Sequence, residues 1–233
     1  MFDIFIDFWW QYLILALCCY AFSNINFAIT FSKIFKKSDV RDYGSGNAGT
    51  TNMFRVYGLG MGALTYLCDT MKGVICCLLA RLIFGWSTPQ ALTAGYVAGL
   101  FAVLGHVFPA FYRFRGGKGV ATCMGVFFSM QPLFSLCLVI PYCVILLLSD
   151  RVSVASLIWS LFMIVWSWIV WGLNLDLGMI YNSLDAFQCL LVTIAFAVVI
   201  FAHRHNIVRI FTGKEQQTGL RKALRGKSDT IVK

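Results

Sequence analysis

Apolar residues follow one another along this chain in long blocks, and short polar segments separate the blocks. An α-helix rises about 1.5 Å per residue, so about 20 apolar residues cross the roughly 30 Å of hydrocarbon in a bilayer. Most of the blocks have this length, which predicts an all-α integral membrane protein. The blocks cover approximately Phe8–Phe31, Tyr57–Phe84, Ala91–Phe111, Gly119–Ser149, Val152–Gly172 and Leu184–Phe201.

The block Gly119–Ser149 is too long for one ordinary crossing and contains Pro132 and Pro141. Proline removes a backbone donor and clashes with the preceding helical turn, so it breaks or kinks a helix. The block therefore predicts either one irregular crossing or two short helices that break near Pro132.

Composition agrees with a membrane protein. Hydrophobic residues make up 59% of the 233 residues and charged residues 12%, with a mean hydropathy of +0.77. Soluble domains carry about a quarter charged residues, and disordered chains carry too little apolar surface to collapse, so both classes are excluded. The nine cysteines lie in apolar runs without metal-ligand spacing, so we interpret them as small hydrophobic residues.

The basic residues decide the orientation. They cluster after the first block, after the third block and in the carboxyl-terminal tail, whereas residues 85–90 and 174–185 contain none. Under the positive-inside rule all clusters face the cytoplasm only if Gly119–Ser149 crosses twice. We therefore predict seven transmembrane helices, the amino terminus outside and the carboxyl terminus cytoplasmic. The acidic amino terminus, with Asp3 and Asp7, has no signal-peptide pattern. The net charge of +9 thus reflects topology, and no nucleic-acid partner is expected.

This topology makes residues 1–233 one membrane domain. Its predicted cytoplasmic segments are residues 32–56, 112–118 and 202–217, followed by a basic tail at residues 218–233. Each segment overlaps a polar cluster.

The first polar cluster extends from Asp39 to Asn52 and continues to Arg55 and Gly58. Its glycines match G-x-G-x-x-G, but no buried strand precedes them, so a dinucleotide fold is excluded. Glycine-rich loops also expose backbone N–H groups to anions, and arginine presents a planar fork suited to phosphate. Hydroxyl and amide donors come from Ser45, Asn47, Thr50, Thr51 and Asn52. The predicted phosphate-binding residues here are Ser45, Gly46, Asn47, Gly49, Thr51, Asn52 and Arg55.

The second cluster extends from Gly105 to Thr122 and contains Lys118 between Gly117 and Gly119, with Gly116 preceding them. A helix that begins at Val120 would direct its free N–H groups and positive dipole end at an anion beside Lys118. The spacing is not that of a nucleotide-binding P-loop, because Tyr112 and Gly119 occupy two of its required positions. His106 lies within the third block, where it is either a packed, hydrogen-bonded histidine or a residue with a chemical role.

The third cluster extends from His203 to Glu215. His203, Asn206 and Arg209 would lie near one helical face if the last helix continued. Histidine is the side chain that most readily accepts a proton near neutral pH. In the second block, Asp69 and Lys72 stand three residues apart and are predicted to form a structural ion pair.

These sequences resemble the three motifs of bacterial glycerol-3-phosphate acyltransferases of the PlsY type. The matching segments are Ser45–Asn52 with Arg55, Gly105–Thr122 and His203–Arg209, and the Asp69–Gly73 element matches as well. The resemblance covers nearly the whole chain. Departures include Thr50, Arg115, His205 and the segment Ser23–Asn26, none of which removes a phosphate-binding or proton-handling group.

The resemblance implies transfer of a fatty acyl group from acyl phosphate to the 1-hydroxyl of sn-glycerol 3-phosphate, on the cytoplasmic side. It also implies a soluble partner enzyme that makes acyl phosphate. An acyl phosphate is already activated, so no covalent acyl-enzyme is expected. We expect Ser45, Lys118, His203 and Asn206 to be catalytic.

The remaining candidates are expected to bind substrate. Glycerol phosphate would contact Arg55 together with the catalytic Lys118. The donor phosphate would contact Ser45, the adjoining loop N–H groups, His203 and Asn206. The proton would pass to His203 or to the donor's own phosphate. His106, Gly116, Gly117 and Arg209 complete the set.

Two other functions are weighed against this one. An acyl-CoA-dependent acyltransferase would need an H-x-x-x-x-D pair, and the residues five positions after the three histidines are Phe111, Val208 and Ile210. A membrane transporter of small phosphorylated anions would also place cations near spans, but no internal repeat is visible. The few carboxylates and divided histidines predict no metal site, and no cofactor is expected.

Overall fold

The computed structural model describes residues 2–86, 88–175 and 184–219. The regular structure of these residues consists of α-helices and two short 3₁₀ helices, Val40–Asp42 and Ala110–Tyr112, and no strand occurs among them. Most of the predicted basic tail, residues 220–233, lies outside the described residues, as do residues 176–183. The helices are α1 (Phe2–Ser23), α2 (Phe27–Lys36), α3 (Thr50–Tyr57), α4 (Leu59–Ile83), α5 (Pro89–Val107), α6 (Val120–Met130), α7 (Pro132–Ser149), α8 (Val152–Gly172), α9 (Ala186–Ala202) and α10 (Arg204–Phe211).

Five segments of the described chain are long and apolar enough to cross a membrane. A sixth appears if α9 and α10, which meet at an angle of 58°, are taken as one span. The prediction of an all-helical, multi-pass membrane protein is thus confirmed. The five segments are Trp9–Lys36, Leu59–Ile83, Pro89–Tyr112, Pro132–Ser149 and Val152–Gly172.

The first apolar block is not one continuous helix, because the chain turns between α1 and α2. Asn24 donates its side-chain amide to the Tyr20 carbonyl at 2.6 Å, which closes the end of α1. Asn26 then caps α2 by accepting from the Ile29 amide at 3.0 Å. Asparagine suits both roles because its short polar side chain competes with the helical backbone for hydrogen bonds. The segment that departs from the family pattern is therefore a helix break.

The long fourth block divides at Gln131, and α7 begins with Pro132 in its first turn. The predicted break near Pro132 is therefore confirmed. Proline is favoured there because the first helical N–H has no intrahelical partner. At 11 residues, α6 extends about 16 Å, roughly half of the hydrocarbon thickness.

Helix α5 lies at the centre of the bundle and packs against α1, α4, α6 and α9. Most of its residues are buried, and its small side chains permit close helix packing. At Gly105 a Cβ atom would overlap the Tyr20 carbonyl of α1. Helix α7, by contrast, packs mainly on α6 and α8, and Ser135 is its only buried residue, as expected for a helix with one face toward lipid.

Candidate active site

One cavity of about 340 Å³ joins the three polar clusters. Its polar end is formed by the loop before α3, the start of α6, the α9–α10 junction and the segment after α10. Its apolar end lies between α6, α7 and α8. Among the predicted site residues the cavity is lined by Ser45, Asn47, Gly49, Thr51, Asn52, Arg55, His106, Lys118, His203, Asn206 and Arg209.

The loop before α3 is held by the buried amide of Asn52. Its Oδ1 accepts from the Ser45 amide at 2.8 Å, and its Nδ2 donates to the carbonyls of Val40 and Tyr43 at 3.0 Å each. The amides of Gly46 and Gly49 also donate within the loop. These N–H groups are therefore occupied. The donors at this side that make no hydrogen bond within the described residues include the Ser45 hydroxyl, the buried Thr50 hydroxyl and the amides of Thr50 and Thr51 at the start of α3.

The second cluster turns from α5 into α6 beside the cavity. The amides of Gly116 and Gly117 donate to the carbonyls of Val107 and His106, at 3.2 Å each. Gly119 adopts φ +84°, a left-handed conformation that favours glycine, and α6 begins at Val120 as predicted. Gly116, Gly117 and Gly46 do not line the cavity, so their predicted contact with substrate stays a prediction.

The third cluster does not continue α9 as one helix, since the chain bends at His203. The bend still brings His203, Asn206 and Arg209 to the cavity. The Nδ1 atom of buried His203 lies 2.8 Å from the Val199 carbonyl. A carbonyl only accepts hydrogen bonds, so Nδ1 carries the proton and a neutral His203 keeps Nε2 as an acceptor.

Glu215 closes the polar end and was not among the predicted site residues. Its carboxylate accepts from the Ser153 hydroxyl at 2.6 Å, the Asn206 amide at 2.6 Å and Arg209 Nε at 2.9 Å. Burial alone would raise the pKa of Glu215, but these hydrogen bonds and the Arg209 charge outweigh burial and lower the pKa. One indication of its importance is present in the sequence: Glu215 is the only glutamate of the chain, and it lies in a basic cluster.

A buried group of charges adjoins the cavity between α4 and α5. Lys72 Nζ lies 3.0 Å from Asp69 Oδ1, which confirms the predicted ion pair. His106 Nδ1 lies 3.1 Å from Lys72 Nζ and 3.5 Å from the same Asp69 oxygen. Asp69 and His106 both line the cavity, so this group belongs to the site.

The balance of charge at the polar end is positive. Arg209 is paired with Glu215, whereas Arg55 and Lys118 have no carboxylate within salt-bridge distance in the described part of the chain. Burial lowers the pKa of Lys118 to about 8, and Arg209 and Arg55 add to this effect while Glu215 opposes it. Two cations without a bound counter-charge are what an anionic ligand requires.

The other end of the cavity is apolar and was not predicted from the sequence. Phe127, Tyr142, Trp159 and Met163 are among the side chains that enclose it, and the Tyr142 hydroxyl lies 3.1 Å from that of Ser156. An anion site continuous with an apolar channel fits an amphiphilic substrate.

Comparisons with known proteins agree with this geometry. Residues 13–213 match the family model described as "Glycerol-3-phosphate acyltransferase". The chain is 36% identical over 208 residues to a glycerol-3-phosphate acyltransferase from Finegoldia magna, covering 89% of this chain and 96% of the relative. It is 35% identical to glycerol-3-phosphate acyltransferase 2 from Bacillus anthracis, covering 85% and 94%.

Two solved structures of PlsY (YgiH), an integral membrane glycerol 3-phosphate acyltransferase, are also similar. The glycerol 3-phosphate form superposes with a TM-score of 0.77 at 31% identity and covers 92% of this chain and 98% of that chain. The lysophosphatidic acid form gives a TM-score of 0.73 at 30% identity and covers 89% and 95%.

Proposed function

This chain belongs to the glycerol-3-phosphate acyltransferase family, and from that premise we propose that it transfers a fatty acyl group from acyl phosphate to the 1-hydroxyl of sn-glycerol 3-phosphate. The products are lysophosphatidate and inorganic phosphate. The relatives' names state the acyl acceptor; the acyl phosphate donor is part of our proposal.

The observation that carries the proposal is the two-ended cavity. Arg55 and Lys118 supply positive charge at one end, and the space between α6, α7 and α8 is lined with apolar side chains at the other. Acyl transfer from acyl phosphate to glycerol 3-phosphate brings two phosphates and one acyl chain together, and this cavity offers both environments.

We assign glycerol 3-phosphate to Arg55 and Lys118, since both are cations that the rest of the site does not neutralise. The donor phosphate is assigned to the Ser45 hydroxyl, the amides of Thr50 and Thr51 at the start of α3, and the neighbourhood of His203 and Asn206. Asn206 also donates to Glu215, so its amide links the segment after α10 to the proposed donor-phosphate site. Holding both reactants together lowers the entropic part of the barrier.

The attacking hydroxyl must lose its proton as the C–O bond forms and the bond to the phosphate leaving group breaks. His203 Nε2 is free to accept that proton, because Nδ1 is committed to the Val199 carbonyl. The departing phosphate is the other acceptor. An acyl phosphate is an activated mixed anhydride, so direct transfer needs no acyl-enzyme.

We further propose seven crossings in the bacterial cytoplasmic membrane, with the active site and carboxyl terminus cytoplasmic. Contacts at both ends of the α6–α7 pair support this: Gly119 lines the polar end of the cavity, and the Asp150 carbonyl accepts from the Thr218 amide at 2.7 Å. The chain thus leaves the polar end in α6 and returns to it in α7.

The test uses purified enzyme with acyl phosphate and glycerol 3-phosphate. Lys118→Ala should raise KM for glycerol 3-phosphate by about 10- to 100-fold, because a charged hydrogen bond to phosphate is lost. His203→Ala should lower kcat by about 100-fold or more if His203 is the base. Exposed His205→Ala and Lys214→Ala serve as matched controls. Near-full turnover in both site variants would contradict the assignment.

The donor and the class of protein are tested in the same assay. Phosphate should be released from acyl phosphate only when glycerol 3-phosphate is present, with lysophosphatidate as the lipid product, and acyl-CoA should not replace the donor. Uptake of phosphorylated anions into vesicles without product formation would instead indicate a transporter.

A further inference from the structure

The buried Asp69, Lys72 and His106 form a connected group whose purpose the ion pair alone does not explain. Lys72 is about 1% exposed, Asp69 about 1% and His106 about 3%. Lys72 Nζ contacts the Ile25 carbonyl at 2.9 Å, Asp69 Oδ1 at 3.0 Å and His106 Nδ1 at 3.1 Å. The ammonium has three N–H groups, and these are its three shortest contacts.

The contact with Lys72 determines which nitrogen of His106 carries the proton. An ammonium group can only donate, so His106 Nδ1 accepts from Lys72 and the proton of the neutral ring lies on Nε2. Asp69, at 3.5 Å from Nδ1, lies beyond the usual N–H···O distance. A second positive charge on His106 beside the Lys72 ammonium would be repelled strongly in this buried position.

The Nε2–H of His106 is directed away from the charge pair. It lies against the backbone of Gly117, where a Cβ atom would overlap it, and Gly117 precedes Lys118. The His106 side chain lines the cavity, and no hydrogen-bond partner of Nε2 occurs among residues 2–86, 88–175 and 184–219. Nε2–H is thus a donor without a partner in the described chain, and it lies against the residue that precedes the cation assigned to glycerol 3-phosphate.

We propose that His106 donates through Nε2–H to the phosphate of bound glycerol 3-phosphate, and that Lys72, with its partner Asp69, is a positioning residue that fixes this tautomer. The inference rests on the proposed function and deepens it. The two buried histidines then hold opposite tautomers: His203 presents an acceptor to the cavity, and His106 presents a donor.

The first experiment compares two amides at position 106. A glutamine places its side-chain NH₂ near the position of Nε2, whereas an asparagine reaches only the position of Nδ1. His106→Asn should weaken glycerol 3-phosphate binding by about tenfold or more, because a hydrogen bond to a charged phosphate is lost. His106→Gln should retain binding within a few fold. The weakening should appear in KM and in the calorimetric Kd, with kcat changed less.

The second experiment separates positioning from structural support by Lys72. In Lys72→Met the ring proton moves to Nδ1 to face Asp69, so binding should weaken about as much as in His106→Asn. In the His106→Gln background the same change should add little, because an amide NH₂ needs no tautomer selection. Equal losses in the two backgrounds would show that Lys72 acts only through structure.

Lys72→Met leaves a buried carboxylate unpaired and can fail to fold, so Asp69→Asn/Lys72→Met provides a neutral pair for the same cycle and keeps at position 69 an oxygen that can accept from Nδ1–H. A measurement on the unaltered side chains is also available. In ¹⁵N-histidine-labelled protein with His205→Asn, nitrogen chemical shifts at neutral pH should assign Nε2–H to His106 and Nδ1–H to His203. The Nδ1–H tautomer at His106, or equal binding by the Asn and Gln variants, would overturn the inference.

These readouts remain distinct from the proposed function. Glycerol 3-phosphate binding is measured without any donor, so failure of acyl phosphate to react would leave the inference intact. Normal acyl transfer with no difference between the two amide variants would refute the inference alone.

Discussion

At the scale of single residues, the site contains a cation, Lys118, whose charged form is destabilised by its surroundings. Lys118 lies in the cavity wall without a carboxylate in salt-bridge distance in the described chain, while Arg209 and Arg55 repel its charge. Burial is the largest cause of its lowered pKa, and an anionic substrate would offset both effects. The free enzyme is therefore poised to lose this charge at moderately alkaline pH.

This predicts a pH dependence for the use of glycerol 3-phosphate. Because the pKa of Lys118 is lowered to about 8, the charged form is present below that pH and is lost as pH rises through it. The value of kcat/KM for glycerol 3-phosphate should fall about tenfold per pH unit above about pH 8, since kcat/KM reports ionisations of the free enzyme.

The matched variant is Lys118→Arg, which retains its charge throughout this range. Its alkaline fall should be absent, whatever its overall rate. A wild-type profile that stays level well above pH 8, or a fall at the same pH in the arginine variant, would contradict the role of Lys118.

The sequence identified the residues that gather at the polar end, because glycine-bordered cations and hydroxyls have a recognisable pattern. It could not give their partners. Asn52 was predicted to contact substrate, yet its amide holds three backbone groups of its own loop. Nor could the sequence decide whether His106 is only a packed, hydrogen-bonded residue or has a chemical role. That depends on the position of Lys72, which comes from another helix.

At the scale of elements, the segment after α10 acts as a strap that ties three parts of the fold together. Through Glu215 it joins Ser153 at the start of α8 to Asn206 and Arg209 of α10. Thr218 bonds the Asp150 carbonyl, and Arg55 of α3 donates to the Gln217 carbonyl at 3.3 Å. The bend at His203 is therefore supported from beyond α10.

Glu215→Gln should destabilise the protein at neutral pH by about 2 kcal/mol or more, because a carboxylate that accepts three hydrogen bonds is replaced by an amide with only one acceptor oxygen. The pKa of Glu215 is lowered in the folded state, so its stabilisation is fully present above the ordinary glutamate pKa of about 4.3 and is lost as pH falls through the lower folded value.

Thermal unfolding in detergent measures this effect. The gap in unfolding temperature between wild type and Glu215→Gln should be clear at neutral pH and should shrink below about pH 4. Asp42→Asn, which alters an exposed carboxylate, is the control and should show no such gap. A gap that is constant with pH would mean that the carboxylate charge contributes nothing to the strap.

Helix positions were predicted well where an apolar block had one clear length, as for α8, and less well where polar side chains act locally. The break at Asn24 and Asn26 was read as continuous because the flanking residues are apolar. Yet Asn26 caps α2 and also bonds the Ala48 carbonyl at 3.2 Å. Hydropathy averages over such residues, whereas their hydrogen bonds decide where a helix ends.

At the scale of the whole molecule, the contacts sort the helix ends into two groups. The end of α5, the start of α6, the start of α8 and the end of α9 all contribute residues to the polar end of the cavity, among them His106, Gly119, Ser153 and His203. At the opposite side, Arg81 near the end of α4 bonds the Trp86 carbonyl, and Cys189 of α9 bonds the Ser167 carbonyl of α8. This alternation supports the proposed seven crossings.

The number of crossings can therefore be tested by parity. From Asp42 to Lys214 the chain makes six crossings if α6 and α7 form a hairpin across the membrane, and five if they make one crossing. Six crossings place the two residues on the same side, whereas five place them on opposite sides.

Single added cysteines at exposed Asp42, Leu173 and Lys214 allow this to be measured with a membrane-impermeant maleimide on intact cells. Leu173→Cys should react from outside, whereas Asp42→Cys and Lys214→Cys should react only after permeabilisation. The unaltered chain measures the background from its native cysteines, whose exposed members Cys18, Cys137 and Cys143 lie in lipid-facing helices. If Asp42→Cys and Lys214→Cys react from opposite sides, α6 and α7 together make only one crossing. If both react from outside, the proposed orientation is wrong.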